Sequence, residues 1–135
     1  MIVSLRAGEK LYINGAVITV DRKVNIELLN DVTFLLDSHV LRPGDANTPL
    51  KQLYFVVQTA LMDPASIGSI AHLIEDMLER TIASFENSVV LAGLRCVQDQ
   101  VSRSRYFEAM RTIRSLYASE AEIMSAASGS PERAA

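Results

Sequence analysis

The hydrophobic period of this chain changes once, near residue 45, and that switch constrains its fold more than any single motif does. Before it, short β-branched or apolar runs at 2–5, 10–13, 16–20, 24–29 and 32–36 alternate with turn residues, the pattern of closely spaced strands. After it, apolar residues recur every three or four positions, which is helical spacing. The reading is an α+β protein. An N-terminal antiparallel β meander or small curled sheet (1–45) packs on a C-terminal antiparallel helical array (46–125) that shares its core. Residues 126–135 have small residues, a Gly and a Pro but no apolar pattern, and are expected to form a disordered tail.

The punctuation is specific. Asn14-Gly15 lies between two strand runs, and a type I′ turn needs positive φ at both central residues, which Asn and Gly tolerate best. Segments 21–23 and 30–31 are expected to close the next two hairpins. At the switch, Thr48 can accept a bond from the first helical turn, while Pro49 can occupy the first helical position at no cost in hydrogen bonding. A helix follows over 49–62, with Leu50, Leu53, Val57, Ala60 and Leu61 on one face, and Pro64 ends it. A second begins near 65. Its stripe is Ile67, Ile70, Ile74, Met77, Leu78, Ile82 and Phe85, and it leaves Glu75, Asp76, Glu79 and Arg80 toward solvent. Helical patterns then cover 89–101, 103–117 and a short piece near 120–124.

Composition matters chiefly for what it excludes. A content of 49% hydrophobic and 21% charged residues is that of a globular chain. No basic stretch followed by an apolar segment opens the sequence and no apolar run approaches a membrane span, so a cytoplasmic location without membrane association is expected. The single Cys96 lies in an apolar helical segment and is expected to be buried. His72, between apolar neighbours, reads as a partly buried histidine, and His39 falls in a turn. No HExxH, GxSxG, phosphate-loop or paired-cysteine spacing appears, so the chain is read as a binder rather than an enzyme, with no catalytic residues, metal ligands or cofactors.

The net charge of −3 argues against a protein that coats nucleic acid through a globally positive field, so distribution decides. Residues 52–94 carry a net −4, whereas 95–114 carry a net +3. Within that basic island, Phe107, Arg111 and Arg114 share one helical stripe, with Arg103 nearby. An aromatic flanked by guanidiniums can stack bases and pair phosphates. Arginines beside a core edge more often cover apolar surface with their stems or pair with acids such as Glu108 and Glu120. The β module offers a second set, Arg6, Lys10, Arg22, Lys23 and Arg42, whose ordinary role at turns is solubility. These nine residues are the RNA-binding candidates.

Four blocks, LRAGEKLYINGAVI, DRKVNIELLNDVTFLL, TPLKQLYFVVQTALMDP and RYFEAMRTIRSLYASEAEI, resemble in the same order the FlbT family of flagellar biosynthesis regulators, over roughly residues 2–125. The resemblance implies a bacterial post-transcriptional regulator that associates with the 5′ untranslated region of flagellin mRNA and represses translation or promotes decay of the message. It supplies no contact residues. The alternative expectation is a protein-interaction module or chaperone-like partner of flagellin or a flagellar co-regulator, which would affect the message indirectly. Antiparallel helices with exposed grooves suit an amphipathic partner helix, and open sheet edges lead one to expect a homodimer.

Overall fold

The computed structural model describes residues 1–30, 32 and 34–134, with side chains described through Ala126. Strands β2 (Lys10–Ile13) and β3 (Ala16–Thr19) pair antiparallel, with Ile13 opposite Ala16. Asn14 at φ +47° and Gly15 at φ +83° form the expected two-residue turn. Gly15 is held close to the helical half, since a Cβ on it would stand 3.4 Å from Pro64 Cδ.

The other strands, β1 (Ile2–Leu5), β4 (Val24–Glu27) and β5 (Phe34–Leu36), correct the expected pairing order. Consecutive hairpins do not form beyond the first: β1 pairs with β4, while β2 lies between β3 and β5. The 21–23 segment therefore connects two sheets, and β4 and β5 share no ladder. Asp31, half of the other expected turn, lies outside the described residues.

The physical reason lies in β5, whose Phe34 and Leu35 point to opposite faces and are both buried. A strand apolar on both faces needs cover on both sides. Phe34 and Leu36 share a face with Ile13 and Leu11, and this face packs on Val3 and Leu5 of β1 with Val24 and Ile26 of β4. Leu35 shares the opposite face with Tyr12 and joins the helical core. The three-stranded sheet is thus a middle layer.

Five α-helices follow: α1 (Pro49–Met62), α2 (Ile67–Ser84), α3 (Ser88–Ser102), α4 (Tyr106–Ser115) and α5 (Tyr117–Ala134). Thr48 Oγ1 accepts from Lys51 N at 3.2 Å, so α1 starts and ends as its sequence reads. Asn87 caps α3 by accepting from Val89 and Val90 N–H groups. α1 packs on α2 and α4, and α3 on α2 and α4, which closes a ring around Leu50, Leu53, Val57, Ile74, Leu78, Leu94, Met110 and Ile113. Each of the fully buried leucines and isoleucines contributes about 1.5–3 kcal/mol of burial free energy. Gly93 lets α3 approach the α4–α5 corner closely, because a Cβ there would lie 2.6 Å from Leu116 Cδ1.

Three expectations change in the helical half. Cys96 is exposed, because Val90, Leu94, Val97 and Val101 take the buried face of α3 and Cys96 falls outside that stripe. His72 is exposed as well; Ile74 and Leu78 set the buried face of α2, and His72 reaches Glu75 at 3.9 Å on the surface. The pattern at 103–117 resolves into a turn with Ser104 at φ +58° and a shorter α4. The backbone helix of α5 runs through Ala134, and the expectation for 126–135 falls almost entirely on residues whose side chains lie outside the described residues.

Candidate nucleic-acid interface

At the end of the β module opposite the Asn14-Gly15 turn, two connections meet. The register sets Leu5 opposite Val24 and Lys10 opposite Thr19, so the β1–β2 turn carrying Arg6 lies beside the β3–β4 turn carrying Arg22 and Lys23. Backbone bonds strap them together: Gly8 N donates to Val20 O at 2.8 Å, and Glu9 N to Arg6 O at 3.0 Å. Thr19 Oγ1 adds a bond to Glu9 O at 3.2 Å. Arg6, Lys10, Arg22 and Lys23 are all exposed there.

The two carboxylates of this end are already engaged. Glu9 Oε1 accepts the Arg6 backbone N–H at 2.8 Å, and Asp21 pairs with Arg22 at 3.2 Å. Among the described residues, Arg6, Lys10 and Lys23 make no ion pair. The end is net +2 within a chain of net −3, on a frame held by backbone bonds. Such a set can meet phosphates at modest cost in ordering.

The helical candidates are distributed differently. Arg103 pairs with Asp99 at 3.3 Å, and Arg105 with Glu108 at 3.3 Å. Phe107 is half-buried and packs its ring on Phe34, with centroids 5.2 Å apart, which joins α4 to the core between the two sheets. Arg114 is also half-buried and donates to Tyr54 Oη at 3.2 Å; that hydroxyl in turn donates to His39 O at 2.6 Å. Only Arg111 of the stripe stands free on the surface, beside Gln100, Thr112 and Ser115. Arg42 is exposed on the connection before α1, apart from both sets.

Arg114 leaves an electrostatic mark around it. His39 is held below its ordinary pKa, first by burial and then by the neighbouring guanidinium. Burial raises the Tyr54 hydroxyl, against the opposing pull of Arg114. Tyr117 is raised more strongly by burial, with Tyr54 adding to the effect, and its ring meets Tyr54 edge-on at 5.9 Å.

Two further polar groups emerge only from the structure. Glu120 is 1% exposed, and its Oε2 accepts the Leu50 backbone N–H at 2.8 Å, so it closes the first turn of α1 instead of pairing with an arginine. Gln58 bonds both backbone groups of Leu41, at 2.7 and 2.9 Å, and fixes the connection between the modules. Glu120 has a sequence signal, since it sits four residues after Leu116 and three before Ile123 on the apolar stripe of α5.

A cleft of about 640 Å³ lies where the modules meet, lined by Met1, Phe34, Leu61, Ile67, Phe107 and Arg105. Among the described residues no cluster of His, Cys, Asp and Glu is placed to hold a metal, and no helix is long and apolar enough to cross a membrane. Fold and site together define a small three-layer α+β protein whose exposed chemistry is a basic β end and an apolar cleft, both of them binding surfaces.

The chain belongs to the FlbT family: residues 1–124 match the family described as flagellar protein FlbT. It is 55% identical over 124 residues to a probable flagellum biosynthesis repressor protein FlbT of Chelativorans sp. (strain BNC1), covering 92% of this chain and 86% of that protein. Proteins of the same description from Brucella ovis and Brucella abortus (strain 2308) are 49% identical over 124 residues, covering 92% of this chain and 82% of theirs. No solved structure matches the chain.

Proposed function

We propose that this chain regulates flagellum biogenesis in the cytoplasm by associating with the 5′ untranslated region of flagellin mRNA, repressing its translation or promoting its decay. The observation that carries this reading is the basic β end, where Arg6, Lys10, Arg22 and Lys23 converge while the carboxylates beside them are already bonded. Family membership supports the process, since the relatives are described as repressors of flagellum biosynthesis. Phosphate contacts from a small cluster yield affinity that falls with salt, and the family context supplies the message.

Filter binding of the purified chain to a flagellin leader, with an unrelated leader of equal length as competitor, tests this. The reading predicts salt-dependent binding at micromolar protein that the competitor displaces poorly. Absence of binding at low salt would remove direct association.

The 640 Å³ cleft favours a second reading, in which an amphipathic helix of flagellin or of a flagellar co-regulator docks between the modules and the message is affected through it. Co-purification of a flagellar protein with the chain, lost in Ile67→Asp, would favour this route.

A further inference from the structure

The outer edge of β3 is bare. All four of its residues are exposed, with Val17 at 61% and Ile18 at 38%, and residues 15–20 (GAVITV) include no charge and no proline. Edge strands are normally protected by one of these, or by a covering segment. β4, an edge of the other sheet, shows the contrast, since it carries Asn25 and Glu27 and follows Lys23.

The backbone directions on β3 follow from its hairpin. Ile13 and Ala16 flank a two-residue loop and exchange bonds, and bonded and non-bonded pairs alternate along an antiparallel ladder. Ala16 and Ile18 thus turn their N–H and C=O groups toward β2. The bond from Gly8 N to Val20 O agrees, placing Val20 in the same inward series. Val17 and Thr19 are left with theirs facing outward.

We propose that β3 pairs antiparallel with β3 of a second copy of this chain, about a two-fold axis through Ile18, joining two three-stranded sheets into one of six strands. In this register Val17 of each copy lies opposite Thr19 of the other, so the outward backbone groups of both strands are satisfied by one another. The two Ile18 side chains meet in the close, non-bonded pair at the centre.

Charge favours this arrangement. The contact is neutral, and antiparallel pairing sends the two basic ends, each with Arg6, Lys10, Arg22 and Lys23, to opposite ends of the joint strand. Like charges are kept apart. A contact of four residues from each copy is smaller than a standard interface, so the association is weak, with a Kd on the order of micromolar or above. The pairing is independent of RNA.

Sedimentation equilibrium of the full chain from micromolar to submillimolar concentration tests it, with two kinds of variant. The wild type is expected to pass from monomer to twice that mass as concentration rises. Val17→Lys, at an exposed site whose folding circular dichroism can confirm, is expected to raise the Kd about tenfold or more. In a Cys96→Ser background, Ile18→Cys brings two sulfurs within disulfide range across the axis and is expected to oxidise to a covalent dimer faster than Val17→Cys or the exposed helical control Leu73→Cys.

A wild type that stays monomeric throughout overturns the proposal. So does a dimer that Val17→Lys leaves intact, or an Ile18→Cys chain that cross-links no faster than Leu73→Cys. If Ile18→Cys fails to fold, Val17→Lys decides.

Discussion

The β end and the α3–α4 corner carry similar sets of cations, yet the fold uses them differently. At the corner, Arg103 and Arg105 each face a carboxylate one helical turn away, and Arg114 is drawn inward onto Tyr54. At the β end, Arg6, Lys10 and Lys23 project from turns whose backbone bonds are already made, with no acid left free beside them. The difference comes from where the chain can supply partners. A helix places acids and bases three and four residues apart on one face, whereas a turn projects its side chains into solvent with few neighbours. A basic count alone does not identify a binding surface; the unspent part of it does.

The sharpest way to break this comparison is at the β end. Combining Arg6→Ala, Lys10→Ala and Lys23→Ala is expected to weaken affinity for a flagellin leader by about ten- to a hundredfold, as measured by filter binding, while moving stability by less than about 0.5 kcal/mol. Next in size is Phe107→Ala. It removes the ring packed on Phe34 and is expected to cost about 2–3 kcal/mol in urea unfolding, with leader affinity of the folded protein unchanged. A base-stacking Phe107 would give the opposite pattern, lost affinity at full stability.

Arg114→Ala is expected to destabilise by about 1 kcal/mol, since it removes a partner of the Tyr54 hydroxyl, again without effect on RNA. Arg105→Ala should be weaker still, within about 0.5 kcal/mol, because its pair with Glu108 is exposed to water. The smallest effect is on pH dependence. His39 titrates below its unfolded value of 6.5 in the folded chain, so its unfolded form takes up a proton first as pH falls. Stability is therefore full above that value and declines as pH drops below it, and His39→Gln should flatten the slope in urea titrations. Arg114→Ala should flatten it in part.

Much of this arrangement was legible from the chain itself. Thr48-Pro49 marked the start of α1, and Asn14-Gly15 marked the hairpin, because in each case the local chemistry admits few alternatives. Strand order was not legible, since it depends on β5 needing cover on both faces. Phe34-Leu35-Leu36, an unbroken apolar run, carried that information, but a run this short reads equally as a half-buried strand. Cys96 and His72 were misplaced for a related reason: an apolar neighbourhood in sequence is not an apolar face on a helix. The candidate site was legible as residue types only. What gathered Arg6 with Lys23 was the pairing of β1 with β4, a contact between distant segments.

The central claim is that message contacts belong to the β end and not to the helical corner. It is tested most directly by the salt dependence of leader binding in two variants, one with Arg6, Lys10 and Lys23 replaced by Ala and the other with Arg103, Arg105 and Arg111 replaced by Ala. Plots of log affinity against log salt should show the slope of the first falling by about 2–3 relative to wild type while that of the second is retained, since each lost phosphate contact removes about 0.9. A retained slope in the first variant with a reduced slope in the second would contradict the account.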